Sequence, residues 1–180
     1  MIFPTIFLRP DIFIFIVTTI LLAGLIVSDN KQWLPHLGLA MGISLVWNVI
    51  AVNEYGYNQA FYSIGPISIF PLFAWTIGLF LIHIIYTAVS TRLSFEGFLK
   101  QLLLYIALYW PILLTAETIG YYTFNIRNEA AAQYAGLPFC DCLHAPTWMQ
   151  ASYLLIGPIY FFLIYFASKR TPELAQPHRS

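Results

Sequence analysis

An all-α, polytopic transmembrane helical bundle of about five spans is the fold class this sequence predicts. Three observations carry that expectation. Of 180 residues, 59% are hydrophobic and only 9% are charged, against roughly a quarter charged in soluble domains. The mean hydropathy is +0.73. The apolar residues gather into runs near the roughly 20 residues a helix needs to cross a bilayer, with polar turns between them.

The first span runs from Asp11 to Ser28. Pro10 is well placed to start it, and Asp29-Asn30-Lys31 marks its end. No small-residue cleavage site follows, so it reads as a retained span, not a removed signal peptide. The second runs from Leu37 to Asn53 and is rich in Gly and Ala, which lets helices approach closely. After the polar turn Tyr55 to Gln59 come Pro66 and Pro71. Two prolines so spaced cannot both sit in an undisturbed helix interior, which predicts an irregular or re-entrant approach to a third span over Pro71 to Ser90. The fourth runs from Phe98 to Thr123, with Pro111 expected to kink it, and the fifth from Pro146 to Ser168. The tail 169–180 is polar and expected to be disordered. No Gly/Ser-rich linker divides the chain, so residues 1–180 read as a single transmembrane domain.

Five spans put the termini on opposite sides. Lys31, Arg92, Lys100, Lys169, Arg170 and Arg179 fall on one side, and only Arg9 and Arg127 on the other. The positive-inside rule then makes the C-terminus cytoplasmic, with the N-terminus and the long 125–145 loop on the outer face. The loop Tyr55 to Ser63 shares that face, so the two least apolar connections are expected to meet there. Basic and acidic residues number eight each and cancel, which leaves no basic patch for nucleic acid.

Landmarks recur in the same order along the chain. Trp47 precedes Glu54 as Trp110 precedes Glu117, Gly56-Tyr57 follows one glutamate and Gly120-Tyr121 the other, and each series ends in a proline and a tryptophan, Pro71 with Trp75 and Pro146 with Trp148. A parallel internal repeat about an axis along the membrane normal is the expectation, and sites gather at repeat interfaces.

The candidate catalytic residues are Glu117, Glu54, His83 and Tyr121. A carboxyl near the end of a span is costly unless it is paired, neutral or facing a polar cavity, and burial favours the neutral acid that a general acid must be. The plainer reading is that each glutamate caps backbone or reaches for the interface. His83, in mid-span, would complete a proton relay if it faced Glu117, although a lone histidine there usually bonds a neighbouring helix. Trp47, Trp75, Tyr122, Tyr134 and Trp148 are candidate substrate-binding residues. Most such aromatics form an interfacial belt, yet their faces also stabilise cations, a carbocation on a polyene included. Cys140, Cys142 and His144 have the donor types of a soft metal site without the paired Cys-x-x-Cys spacing of strong zinc signatures, and a packed or oxidised loop is the leading reading. No cofactor is implied.

Trp47-Asn48, Glu54, Gly65 and Pro71 to Trp75, followed by Trp110, Glu117, Gly120, Gly136-Leu137-Pro138 and Pro146, resemble the membrane lycopene cyclase and carotenoid hydratase group over about two-thirds of the chain. The cyclases carry Pro-x-Glu-Glu where this chain has Pro71-Leu-Phe-Ala and Pro146-Thr-Trp-Met, so the paired acids are absent. The resemblance implies an isoprenoid- or carotenoid-modifying enzyme, a metal-free hydratase or cyclase. Its substrate would be a polyene or other membrane lipid, protonated by Glu117 and shielded as a cation by Tyr121 or Tyr122. The competing reading is a non-catalytic subunit or assembly factor of a larger membrane complex, or a lipid- or pigment-binding protein, with a homo-oligomer or a membrane partner protein. A transporter using Glu117 and His83 as proton sites is a third.

Overall fold

A computed structural model of the chain describes residues 9–131 and 133–170. The described residues fold into five helices: α1 (Pro10–Val27), α2 (Leu34–Ile50), α3 (Ile69–Leu93), α4 (Phe98–Tyr122) and α5 (Thr147–Arg170). All five are long and apolar enough to cross a membrane. The rest of the expected polar tail, with Arg179, lies outside the described residues.

Local sequence sets the helix ends. Pro10 occupies the first turn of α1 and Pro35 that of α2, where a missing N–H costs nothing. α3 stops at Ser94, which adopts the left-handed conformation (φ 50°) and donates its N–H to the Ser90 carbonyl, a helix end of the αL kind. Gly97, at φ 88°, precedes α4. Pro111 lies inside α4 and Pro158 inside α5.

One connection differs from the sequence expectation: α2 ends at Ile50, so Asn53 and Glu54 fall in a 3-10 turn over Val52–Glu54. The approach to α3 is irregular, as the two prolines lead one to expect. It is a two-residue antiparallel hairpin, β1 (Ser63–Ile64) with β2 (Ile67–Ser68), pairing Ser63 with Ser68 and Ile64 with Ile67. Gly65 at its tip holds φ 59°, which glycine adopts without steric cost, and Pro66 beside it presets a turn. The hairpin satisfies its own backbone groups and lets α3 begin at Ile69, with Pro71 still in the first turn.

α3 is the central helix. It packs on α1, α2, α4 and α5, while α4 also packs on α5 and α2 on α5. It buries eight side chains against three for α1. The core is strongly aromatic: Phe80, Tyr105, Tyr109, Tyr160 and Phe161 are essentially inaccessible. Tyr109 donates its hydroxyl to the Tyr153 carbonyl, and Tyr160 donates to the His36 carbonyl at 3.0 Å, joining α5 to α2. Gly157 on α5 makes the closest helix approach. A Cβ there would stand 2.6 Å from the ring of Tyr109, so α4 and α5 meet at this distance only because position 157 has no side chain.

The landmarks of the expected repeat sit in different settings. Trp47 is 5% exposed and Trp110 is 42% exposed, and Glu54 lies in a 3-10 turn whereas Glu117 lies within a helix.

Gly157→Ala is expected to destabilise the protein by about 1–3 kcal/mol, the usual cost of overpacking a fixed core. The Tyr109 ring cannot swing aside without giving up its hydrogen bond. Thermal unfolding of the two proteins in the same detergent measures it, and an unchanged midpoint would show that α4 and α5 are not held as described.

Candidate functional site: an apolar groove walled by Glu117

The last turns of α4 place Leu113, Glu117 and Tyr121, spaced four apart, on one helix face. That face lines a groove of about 750 Å³. α3 forms its floor with Pro71, Ala74, Trp75, Gly78 and Ile82, and Phe13 and Ile14 of α1 form the opposite side. Small residues make the room: a Cβ at Gly78 or Gly120 would meet nothing within 4 Å. Phe13, Ile119 and Tyr122 line the groove while remaining 47%, 45% and 58% exposed. It therefore opens sideways between α1 and α4, as a site fed from a surrounding apolar phase would.

Glu117 is half-buried in this wall. No hydrogen bond or ion pair reaches its carboxyl among the described residues. Tyr55, Tyr57, Tyr109 and Tyr153 all lie within electrostatic reach of it. The two in the loop after α2 stay neutral: burial, with the Glu117 charge adding to it, pushes Tyr55 up to about 12 and Tyr57 well above the usual tyrosine range. The Tyr55 hydroxyl accepts from Trp47 Nε1 at 2.7 Å and lies 3.4 Å from the Tyr153 hydroxyl. Glu117 thus sits among hydroxyls and aromatic rings, and no cationic side chain pairs with it among the described residues.

The roof is made by two loops far apart in sequence. The Asn128 side chain accepts from Gly56 N at 2.9 Å and donates to the Glu54 carbonyl at 2.6 Å. Asn58 answers it, accepting from Arg127 N at 2.9 Å and donating to the Asn125 carbonyl at 2.8 Å. Glu129 N bonds Gly56 O at 2.6 Å. Gly56 lies close against Ala130, where a Cβ would stand at 3.4 Å. Tyr57 packs on Phe61 and Phe70 beside the groove.

Of the residues singled out by sequence, Glu117, Tyr121, Tyr122, Trp75, Cys142 and His144 line the groove, and Glu54, His83, Trp47, Tyr134, Trp148 and Cys140 do not. Tyr121 is already engaged, with the Arg127 guanidinium 4.8 Å over its ring and His144 stacked on it at 5.0 Å. Glu54 contributes its backbone carbonyl to Asn128. His83 does not face Glu117: it stacks on His36 at 5.0 Å and contacts Trp33, Tyr86 and Tyr160, in a separate cluster where α2, α3 and α5 meet. Trp47 and Trp148 pack on each other at 5.9 Å, behind Tyr153. Cys140 and Cys142 are joined as a disulfide, so neither thiol is free to act as a ligand, and His144 pairs instead with Asp141 at 3.2 Å. No group of three His, Cys, Asp or Glu side chains able to hold a metal ion occurs among the described residues.

Sequence reasoning missed three residues. Asp11, taken only as the start of a span, is 1% exposed. Its carboxylate pairs with Arg9 at 2.9 Å and accepts from Tyr62 N at 2.9 Å, while Arg9 also donates to the Ala60 carbonyl at 2.8 Å and lies over the Tyr62 ring. This node ties the start of α1 to the loop before α3 and fixes one wall of the groove. Arg-Pro-Asp at a helix start was its only signal. Asn58 and Asn128, the loop fasteners, gave none.

Asn128→Ala is expected to cost about 1–3 kcal/mol, because it leaves the Gly56 N–H and the Glu54 carbonyl without partners in a part-buried setting. Limited proteolysis should cut the 124–130 loop faster in the variant, and equal cutting rates would contradict the fastening role.

Comparison with protein-family models, with curated proteins and with solved structures finds no match to this chain.

Proposed function

We propose that this is a membrane-embedded enzyme that adds water to a terminal double bond of a long isoprenoid polyene, with Glu117 as the general acid. The observation that carries this reading is an uncompensated carboxyl in the wall of an apolar groove that opens between two helices. Such a groove selects an apolar chain by burial alone, and a carboxyl without a cationic partner favours its neutral, proton-donating form.

In the proposed step the Glu117 carboxyl gives its proton to the CH carbon of the terminal (CH3)2C=CH unit. The π electrons form the new C–H bond, and the adjacent tertiary carbon becomes a cation. The faces of Trp75, Tyr57 and Tyr122 stabilise that charge through the ring quadrupole. A water molecule entering beside Asn128 and His144, two of the polar groups of the lining, bonds to the cation and returns its extra proton to the Glu117 carboxylate. The product is a tertiary alcohol, and the acid is regenerated. Cyclisation would follow the same protonation if a second double bond captured the cation, but the acid pair of the resembling cyclases is absent, which favours water.

Two substitutions test the reading separately. Glu117→Gln keeps the shape of the side chain and removes the acid, so turnover of a linear polyene should fall about 100- to 10,000-fold, the usual contribution of general acid catalysis, while the polyene still co-purifies. Gly78→Leu fills the groove into open space and should abolish co-purification while leaving the thermal midpoint near that of the parent. Organic extraction with absorption and mass analysis reads occupancy, and a mass gain of one water reads turnover. Intact turnover in Glu117→Gln removes the assignment of the acid. A clean extract from the parent protein, with another membrane protein held stoichiometrically, would replace the enzyme by the subunit reading.

A further inference from the structure

The Cys140–Cys142 disulfide closes a loop of a single intervening residue. The stabilisation a cross-link gives by restricting the unfolded chain grows with the length of loop it closes, so this one restricts very little. The segment is held by other means. Leu137 N donates to the Cys142 carbonyl at 2.8 Å, Asp141 N donates to the Leu137 carbonyl at 2.9 Å, and Gln150 Nε2 donates to the Leu143 carbonyl at 3.0 Å. Gly136 lies so close that a Cβ there would stand 2.7 Å from the Asp141 carbonyl carbon. As a structural staple the bond is redundant.

Its two sulfur-bearing residues differ in surroundings. Cys142 is 3% exposed and lines the groove. Cys140 is half-buried between Phe139, 75% exposed, and Asp141, whose side chain is 76% exposed. Only Cys140 is approachable from outside the loop. Accessible disulfides whose loss leaves the fold standing are the labile and catalytic ones.

We propose that Cys140–Cys142 is a thiol-exchange site that takes a thiol donor, attacked at Cys140 with Cys142 as the leaving group. The donor thiolate bonds to Cys140 Sγ as the Cys140–Cys142 bond breaks, and the electron pair leaves on Cys142 Sγ, which takes up the proton the donor lost. A second donor thiol displaces Cys140 from the mixed disulfide. Two donor thiols become one donor disulfide and the protein disulfide becomes two thiols, so two electrons and two protons have moved. The step is independent of what occupies the groove. It would, however, place a free thiol in the groove wall.

The test uses the full chain in detergent micelles, incubated without denaturant in glutathione buffers of graded reduced-to-oxidised ratio or, separately, with reduced thioredoxin as a protein dithiol. After acid quench, thiols are counted by a maleimide-polymer gel shift. Two thiols should appear in at least one arm, with the thermal midpoint retained. Reduction by glutathione assigns a small thiol as donor, and reduction by thioredoxin a protein one. With oxidised glutathione, Cys142→Ser should form a mixed disulfide at Cys140 at least tenfold faster than Cys140→Ser forms one at Cys142. The proposal is overturned if neither reductant yields thiols until the protein is unfolded, a result that needs no variant, or if the two variants react at equal rates.

Discussion

Asn128 uses both ends of its side-chain amide on a loop more than 70 residues away in the chain, accepting from Gly56 N and donating to the Glu54 carbonyl. Asn58 does the reverse, against Arg127 and Asn125. A loop at the end of an apolar bundle cannot leave its backbone groups unpaired where water is scarce, and these two asparagines let each loop serve as the other's partner. The rest of the site depends on that exchange. It brings Tyr55 and Tyr57, which follow α2, close to Glu117 near the end of α4, with Tyr57 in the groove lining.

The same logic operates at the start of α1. Asp11 is a carboxylate with a 0% exposed side chain, tolerable only because Arg9 and the Tyr62 N–H both satisfy it. Glu117 has no such partners. Asp11 and Glu117 thus stand in opposite surroundings: one carboxyl compensated and structural, the other without a cationic partner among the described residues and facing an open groove. That contrast is why the proposed function is built on Glu117.

The aromatic residues divide in a comparable way. Those between α3, α4 and α5, such as Tyr105, Tyr109 and Phe161, are buried and packed on one another, and of these three only Tyr109 also lines the groove. Those near the loops, Tyr57, Trp75 and Tyr122, present surface to it. His36 and His83 stack in a third group at the other end of α2, so His83 and Glu117 do not share a site.

The sequence by itself determined the five helices, their polar interruptions and the presence of one glutamate within the fourth. Each of these is written along the chain, as run length, turn residues and a charge where charge is costly. The tertiary structure decided which face of each helix looks inward. The helices are apolar nearly all round, since side chains facing lipid are as apolar as those facing other helices, so periodicity carries little information about rotation. Rotation is what sets Glu117, Trp75 and Gly78 on one groove, turns His83 to another, and leaves Trp47 and Trp148 behind Tyr153. It also decided the fate of Cys140 and Cys142, for which the sequence favoured a packed or oxidised loop over a ligand set without choosing between packing and oxidation, because only the folded loop brings the two sulfur atoms together.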